Sequence, residues 1–143
     1  MDMKLEWSPG VGVGPFKLGM EMSMVLKLAD FEDQSTESAN GDPIAIFAND
    51  ELGIMIADDL TDGPGLDSVH ADQRLLYQGR NLIGMPLEEF RTLVGSDVVG
   101  EVREVRFDDD DVQFIYDFAS VGAQVWVKDG LINSVGVLAI EDD

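Results

Sequence analysis

The stretch Gly14-Pro15-Phe16-Lys17-Leu18-Gly19-Met20, continuing as Glu21-Met22-Ser23-Met24-Val25-Leu26-Lys27-Leu28, reads as a strand end turning into a helix. It has a second version at Gly79-Arg80-Asn81-Leu82-Ile83-Gly84-Met85, followed by Pro86-Leu87-Glu88-Glu89-Phe90-Arg91-Thr92-Leu93-Val94-Gly95. Gly14 and Gly79 stand 65 positions apart, and so do Gly19 and Gly84. In the first copy Met22, Val25, Leu26 and Ala29 follow i, i+3, i+4, i+7, which buries one face of a short helix. In the second, Leu87, Phe90 and Val94 give the same face. Pro86 suits a first helical position, Glu88 and Glu89 suit the positive end of the helix dipole, and Gly95 suits the left-handed position past the end.

Outward from these two anchors the chain becomes strand-like. Ile44-Ala45-Ile46-Phe47, a turn at Asn49-Asp50-Glu51, then Leu52-Gly53-Ile54-Met55-Ile56 and Leu66-Asp67-Ser68-Val69-His70-Ala71 form a meander by turn chemistry. Arg74 to Tyr77 is a further strand or the connector between halves. The second half offers Val102 to Phe107, then Val112, Phe114, Tyr116 and Phe118 alternating on one strand face. Gly122 to Val127 follows, with a Lys128-Asp129-Gly130 turn and a returning Leu131 to Val137. Leu52 to Ile56 lines up with Val121 to Val125, and Leu66 to Val69 with Ile132 to Val135. The order therefore predicts an α+β protein: a tandem duplication of an α-β-β-β unit, with two short helices packed on a mostly antiparallel sheet. The repeats span 11–72 and 73–143 within one compact domain, 1–143, since each alone is too small to bury a sufficient core. Residues 1–13, broken by Pro9-Gly10 and Gly12, read as a flexible lead-in. Glu32 to Asp42 reads as an exposed polar loop.

Composition then limits the function. Of 143 residues, 29 are acidic and 9 basic, for a formal charge of −20, and the pI is near 4.1. Such a field repels nucleic acid and anionic lipid, and attracts cations and basic proteins. The absence of cysteine removes disulfides, thiol catalysis and thiolate metal sites. No basic-then-apolar leader and no apolar run near the roughly 20 residues of a membrane helix is visible, so the expected compartment is the cytoplasm.

Catalytic machinery is sparse. His70 is the single histidine, and Ser68 and Asp67 near it give no triad geometry on a strand. Gly10-Val11-Gly12-Val13-Gly14 lacks the strand before it and the Gly-Lys-Ser/Thr after it that a phosphate loop needs. Asp108-Asp109-Asp110-Asp111 lacks the alternating ligands and mid-loop glycine of a calcium loop. It reads as an acidic turn, and Asp58, Asp59, Asp62 and Asp67 form a second acidic cluster at the hairpin read as its equivalent. Both are solvated turns or, functionally, one surface that meets a basic partner. Tyr116 and Trp126 are anchor candidates for such a surface, and aromatic residues serve equally as core. No cofactor and no metal site is expected, and the expected protein is not an enzyme.

The phrase Gly12-Val13-Gly14-Pro15-Phe16-Lys17-Leu18-Gly19-Met20 resembles the opening of small bacterial immunity-type proteins of polymorphic and contact-dependent toxin systems. The repeated helix-then-sheet plan is similar to that of the beta-lactamase inhibitory protein, although the cysteines of that secreted inhibitor are missing here. Taken with the charge of −20 and the sparse catalytic machinery, the resemblance implies a cytoplasmic protein that neutralises a basic, nuclease-like toxin by direct binding. The alternatives are an acidic structural or adaptor protein whose charge reflects a salty habitat, and a carboxylate-based hydrolase or cation-binding protein.

Overall fold

The architecture follows from two elements that share a construction, each a helix hung on a glycine-methionine pair. A computed structural model describes residues 4–34, 36–37, 43–59, 65–95, 102–106, 108 and 110–138. The helices are α1 (Met22–Val25) and α2 (Leu87–Val94). Gly19 N–H donates to Leu66 O at 2.8 Å, and Leu66 N–H returns a bond to Met20 O at 2.9 Å. In the second half Gly84 N–H donates to Ile132 O at 2.7 Å, and Ile132 N–H donates to Met85 O at 2.9 Å. Gly19 and Gly84 have φ of 83° and 89°, a region in which a side chain is strained. Each glycine thus lets the chain leave a tight turn with its amide aimed at the main sheet, at the connection just before β8 for Gly19 and at β14 for Gly84.

Eleven of the strands are β1 (Trp7–Ser8), β2 (Gly12–Val13), β3 (Phe16–Lys17), β4 (Glu32–Asp33), β5 (Thr36–Glu37), β6 (Pro43–Asn49), β7 (Ile54–Asp59), β8 (Ser68–Ala71), β9 (Leu76–Tyr77), β10 (Arg80–Asn81) and β11 (Arg103–Arg106). β12 (Val112–Phe118), β13 (Ala123–Lys128) and β14 (Leu131–Leu138) complete them. The main sheet is antiparallel throughout its pairings and runs β11-β12-β13-β14-β8-β7-β6-β4, with β5 also on β6. From a central β14–β8 pair, β13, β12 and β11 thus extend in sequence to one side, and β7, β6 and then β4 and β5 to the other. Registers agree across that pair: Ile54 faces Ala71 and Ile56 faces Val69, while Ala123 faces Val137 and Val125 faces Val135. Asp72 N–H donates to Gly53 O at 3.0 Å, and Leu138 N–H to Gly122 O at 2.7 Å. Both glycines have φ of 69°.

The core lies on one face of this sheet. Ile54, Ile56, Val69, Ala71, Ala123, Val125, Val135 and Val137 are buried there against Val25, Leu87 and Phe90 of the two helices. Phe90 is the hinge pin of the packing: it stacks on Trp7 at 6.2 Å and meets Phe118 edge-on at 5.0 Å. Burial of such a ring contributes roughly 1.5–3 kcal/mol. α2 runs from Pro86, whose extended φ/ψ makes it the residue before the helix, to Gly95 in the left-handed conformation. α1 is a single turn, closed by Leu26 in the right-handed region. Met22, Leu26 and Ala29 still pack on the core as the periodicity predicts, but the last two do so from turns.

The lead-in reading of residues 1–13 does not hold over 4–13, and residues 1–3 lie outside the described residues. β1, β2 and β3 form a three-stranded sheet of their own, and Leu5, Trp7, Val13 and Phe16 are core residues. The glycines here are steric necessities: a Cβ on Gly12 would lie 2.1 Å from Phe16 O, and one on Gly14 2.5 Å from Lys4 O. Part of the loop expected over 32–42 is strand as well, since β4 and β5 pair with β6.

Candidate functional site

Strand alternation decides which side chains the sheet presents away from its core. With Ile54 and Ile56 inward, Met55 of β7 faces outward, and the register carries that row through His70 and Gly136 to Gln124 and Asp117. Trp126, Ser134 and Ile115 lie on the same side. Ala48 and Ile115 are buried yet belong to no part of the core cluster, as residues of the opposite face should. No described helix packs on this face. Met55 is 41% exposed and Leu138 39% exposed upon it.

His70 and Trp126 organise the middle. Their rings meet edge-on at 6.3 Å. The imidazole has room because its neighbour on β14 is Gly136, where a Cβ would come within 3.2 Å of Nδ1. Burial pushes the His70 pKa below its ordinary 6.5, with Asp72 pulling it back upward. The ring is therefore neutral at pH 7. Ser68 shares the face, two residues along β8, about 7 Å away by strand rise and beyond hydrogen-bond reach.

Beside His70 a cleft of about 130 Å³ opens, lined by Gln34, Ala48, Asp50, Met55, Asp72 and Gln73 among others. Asn49 builds its lip by donating from Nδ2 to Asp30 O at 2.8 Å and accepting from Leu52 N–H at 2.8 Å. Gln73 folds over Gly53, where a Cβ would sit 2.6 Å from its side chain, and donates to Asp50 O at 3.2 Å. Neither Asp50 nor Asp72 has a basic partner within salt-bridge distance among the described residues. The cleft is well below the roughly 300–1,000 Å³ of small-molecule pockets. Among the described residues no three His, Asp or Glu side chains gather as a metal ion would require.

The residues singled out from the sequence are scattered rather than gathered. Asp58 is 2% exposed on the core side; its Oδ2 accepts from Gly65 N–H at 3.2 Å, so it lies beneath the surface it was expected to line. Asp59 pairs with Ile44 in the β6–β7 ladder, and its side chain, with Asp62 and Asp109, lies outside the described residues. Asp67 is half-buried before β8. Asp108 folds back, its Oδ1 accepting from the amides of Asp110 and Asp111 at 2.8 and 2.9 Å. Asp111 pairs with Lys128 at 3.1 Å, which raises the lysine pKa through that hydrogen bond first. Asp110 is exposed.

The two acidic stretches also occupy opposite ends of the sheet. Ser68 sits opposite Leu138, where β14 finishes, whereas Lys128, the partner of Asp111, sits opposite Leu131, where β14 begins. Seven steps of strand place these ends roughly 23 Å apart, so the stretches do not form one patch. They are not equivalent hairpins either: one joins β7 to β8, the other β11 to β12. The two aromatic anchors part in the same way. Tyr116 pairs with Val125 and packs against the core, while Trp126 is on the open face. Met55, Asp50 and Asp72 carry no motif or acidic run that marks them in the sequence. The signal for Met55 was present in the alternation Ile54-Met55-Ile56.

No protein-family model, no curated protein and no solved structure matches this chain significantly. Among the described residues no helix is long and apolar enough to cross a membrane.

Proposed function

We propose that the chain is a non-enzymatic acidic binding protein, most concretely an immunity protein that neutralises a basic, nuclease-like toxin by direct binding in the cytoplasm. The observation that carries this reading is the combination of a −20 charge with a sheet face that bears Met55, His70 and Trp126 and on which no described helix packs. Apolar and aromatic groups on that face supply anchoring contacts, and the surrounding acids steer a cationic partner and cover the groups with which it grips phosphate. We further propose that the two halves are a tandem duplication. The matching Gly-Met clamps, the shared registers of β7–β8 and β13–β14, and the repeated Gly53 and Gly122 contacts support that history.

Co-purification with the product of an adjacent gene tests the reading, together with protection of cells expressing that product. No basic partner and no protection would sink it. The carboxylate-hydrolase alternative has one observation in its favour, the sharing of a concave, partly apolar cleft by Asp50 and Asp72. Hydrolytic activity that disappears in Asp72→Asn while partner binding persists would favour that alternative.

A further inference from the structure

The strongest unassigned feature is the cleft beside His70. It sits on the open face, at the end of the sheet where β6 turns into β7 and β8 leaves toward Asp72. Its floor is aliphatic, from Ala48 and Met55. Its rim carries two carboxylates, Asp50 and Asp72, and two primary amides, Gln34 and Gln73. Its volume holds the end of one long side chain and excludes a nucleotide. Desolvation keeps the imidazole of His70 uncharged, so the wall of the cleft adds no positive charge to oppose a cation.

We propose that this cleft receives a single arginine side chain from the basic partner. The proposal rests on the binding-protein reading above and assigns its central contact. The stem of an arginine lies along Met55 and Ala48, as long charged side chains do on apolar surface. The planar guanidinium presents five N–H donors in a fixed fork, which two carboxylates and two amide oxygens from three separate connections, after β4, β6 and β8, can share. An ammonium is a compact point charge and uses such a spread rim less well. Charge complementarity selects the occupant: the protein is −20 overall, and the two rim carboxylates have no cation beside them among the described residues.

The test uses the full chain, 15N-labelled, at low ionic strength, with a capped Gly-Arg-Gly peptide as probe. The companion peptides replace arginine by lysine or by citrulline, the neutral isostere. The expected result is saturable movement of the Gly53, Met55, His70 and Asp72 amides with the arginine peptide, weaker movement with lysine and none with citrulline. Asp50→Asn/Asp72→Asn, both exposed positions, should weaken the arginine peptide about tenfold, whereas Asp110→Asn should leave it unchanged. The proposal is overturned by non-saturating shifts spread over all acidic positions, or by equal binding of the lysine peptide. It is equally overturned if the double variant keeps the parent affinity, if calcium ions alone give the same saturable shifts, or if the same amides move on concentrating the protein without peptide. Pull-down of a basic partner is run in parallel with parent and double variant. A partner held equally by both overturns the cleft while leaving the binding protein standing; loss confined to the double variant supports both.

Discussion

His70 lies over Gly136: a Cβ added to that glycine would come within 3.2 Å of the ring Nδ1. The backbone of Gly136 is outside the positive-φ set, so alanine is allowed there locally and the conflict is with the imidazole alone. Gly136→Ala should cost about 1–3 kcal/mol as an overpacking change. Chemical denaturation measures the loss, and Trp126 fluorescence should change with it because its ring rests edge-on against His70. An unchanged midpoint would mean that the ring moves aside freely.

The same contact makes a pH prediction. Burial lowers the His70 pKa below 6.5, against the pull of Asp72. Between the folded and unfolded values the unfolded chain binds more protons, so stability must fall as pH drops. The His70 contribution is fully present above pH 6.5, is lost as pH falls below it and levels off beneath the folded value. With a single histidine in the chain, its NMR titration is unambiguous. A midpoint below 6.5 is expected, shifted lower still in Asp72→Asn. His70→Gln should flatten the stability profile across that window.

The Gly-Met clamps make a symmetrical prediction. A Cβ on Gly19 or Gly84 meets nothing within 4 Å, so the penalty of alanine is conformational only, about 1–2 kcal/mol for a residue held in the left-handed region. Gly19→Ala and Gly84→Ala should therefore lower Tm by similar amounts. Calorimetry of the two variants checks it; a loss at one site alone would show that the clamps do unequal work.

Phe90 joins the second helix, the N-terminal sheet through Trp7 and the main sheet through Phe118. Phe90→Ala should cost about 3–5 kcal/mol, measured by urea unfolding followed at both tryptophans.

Charge gives the last prediction. Self-repulsion at −20 is screened by salt, with a Debye length of about 10 Å at 0.1 M. Tm should rise with sodium chloride, modestly if the charge serves a partner. A chain that is unfolded at low salt would instead favour the habitat explanation.

Much of the sheet was legible because local chemistry wrote it. The Lys128-Asp129-Gly130 turn sets the β13–β14 hairpin, and the alternation Val112, Phe114, Tyr116, Phe118 correctly places these residues on one strand face. What could not be read is what local chemistry does not specify. Pairing of β14 with β8 joins strands 60 residues and more apart, and no turn encodes it. The buried N-terminal sheet hid behind glycines that look flexible in sequence and are demanded by close backbone approach. The open face is hidden in the sequence for a related reason. Counting acids draws the eye to Asp108 to Asp111, whereas the cleft is assembled from residues of β6, β7 and β8 and of the connections after β4, β6 and β8, which converge only after pairing.

The main sheet is open rather than closed, and β11 is one of its rims. That rim reads Arg103-Glu104-Val105-Arg106, with Arg103, Glu104 and Arg106 exposed. Arg103 reaches Asp117 at 3.5 Å and Arg106 reaches Glu104 at 3.3 Å. A rim with alternating charges is a poor template for a strand from another copy, which would have to bury them or match them in register. The β11 rim thus resists edge-to-edge pairing with a second copy, a guard against aggregation as much as a feature of shape.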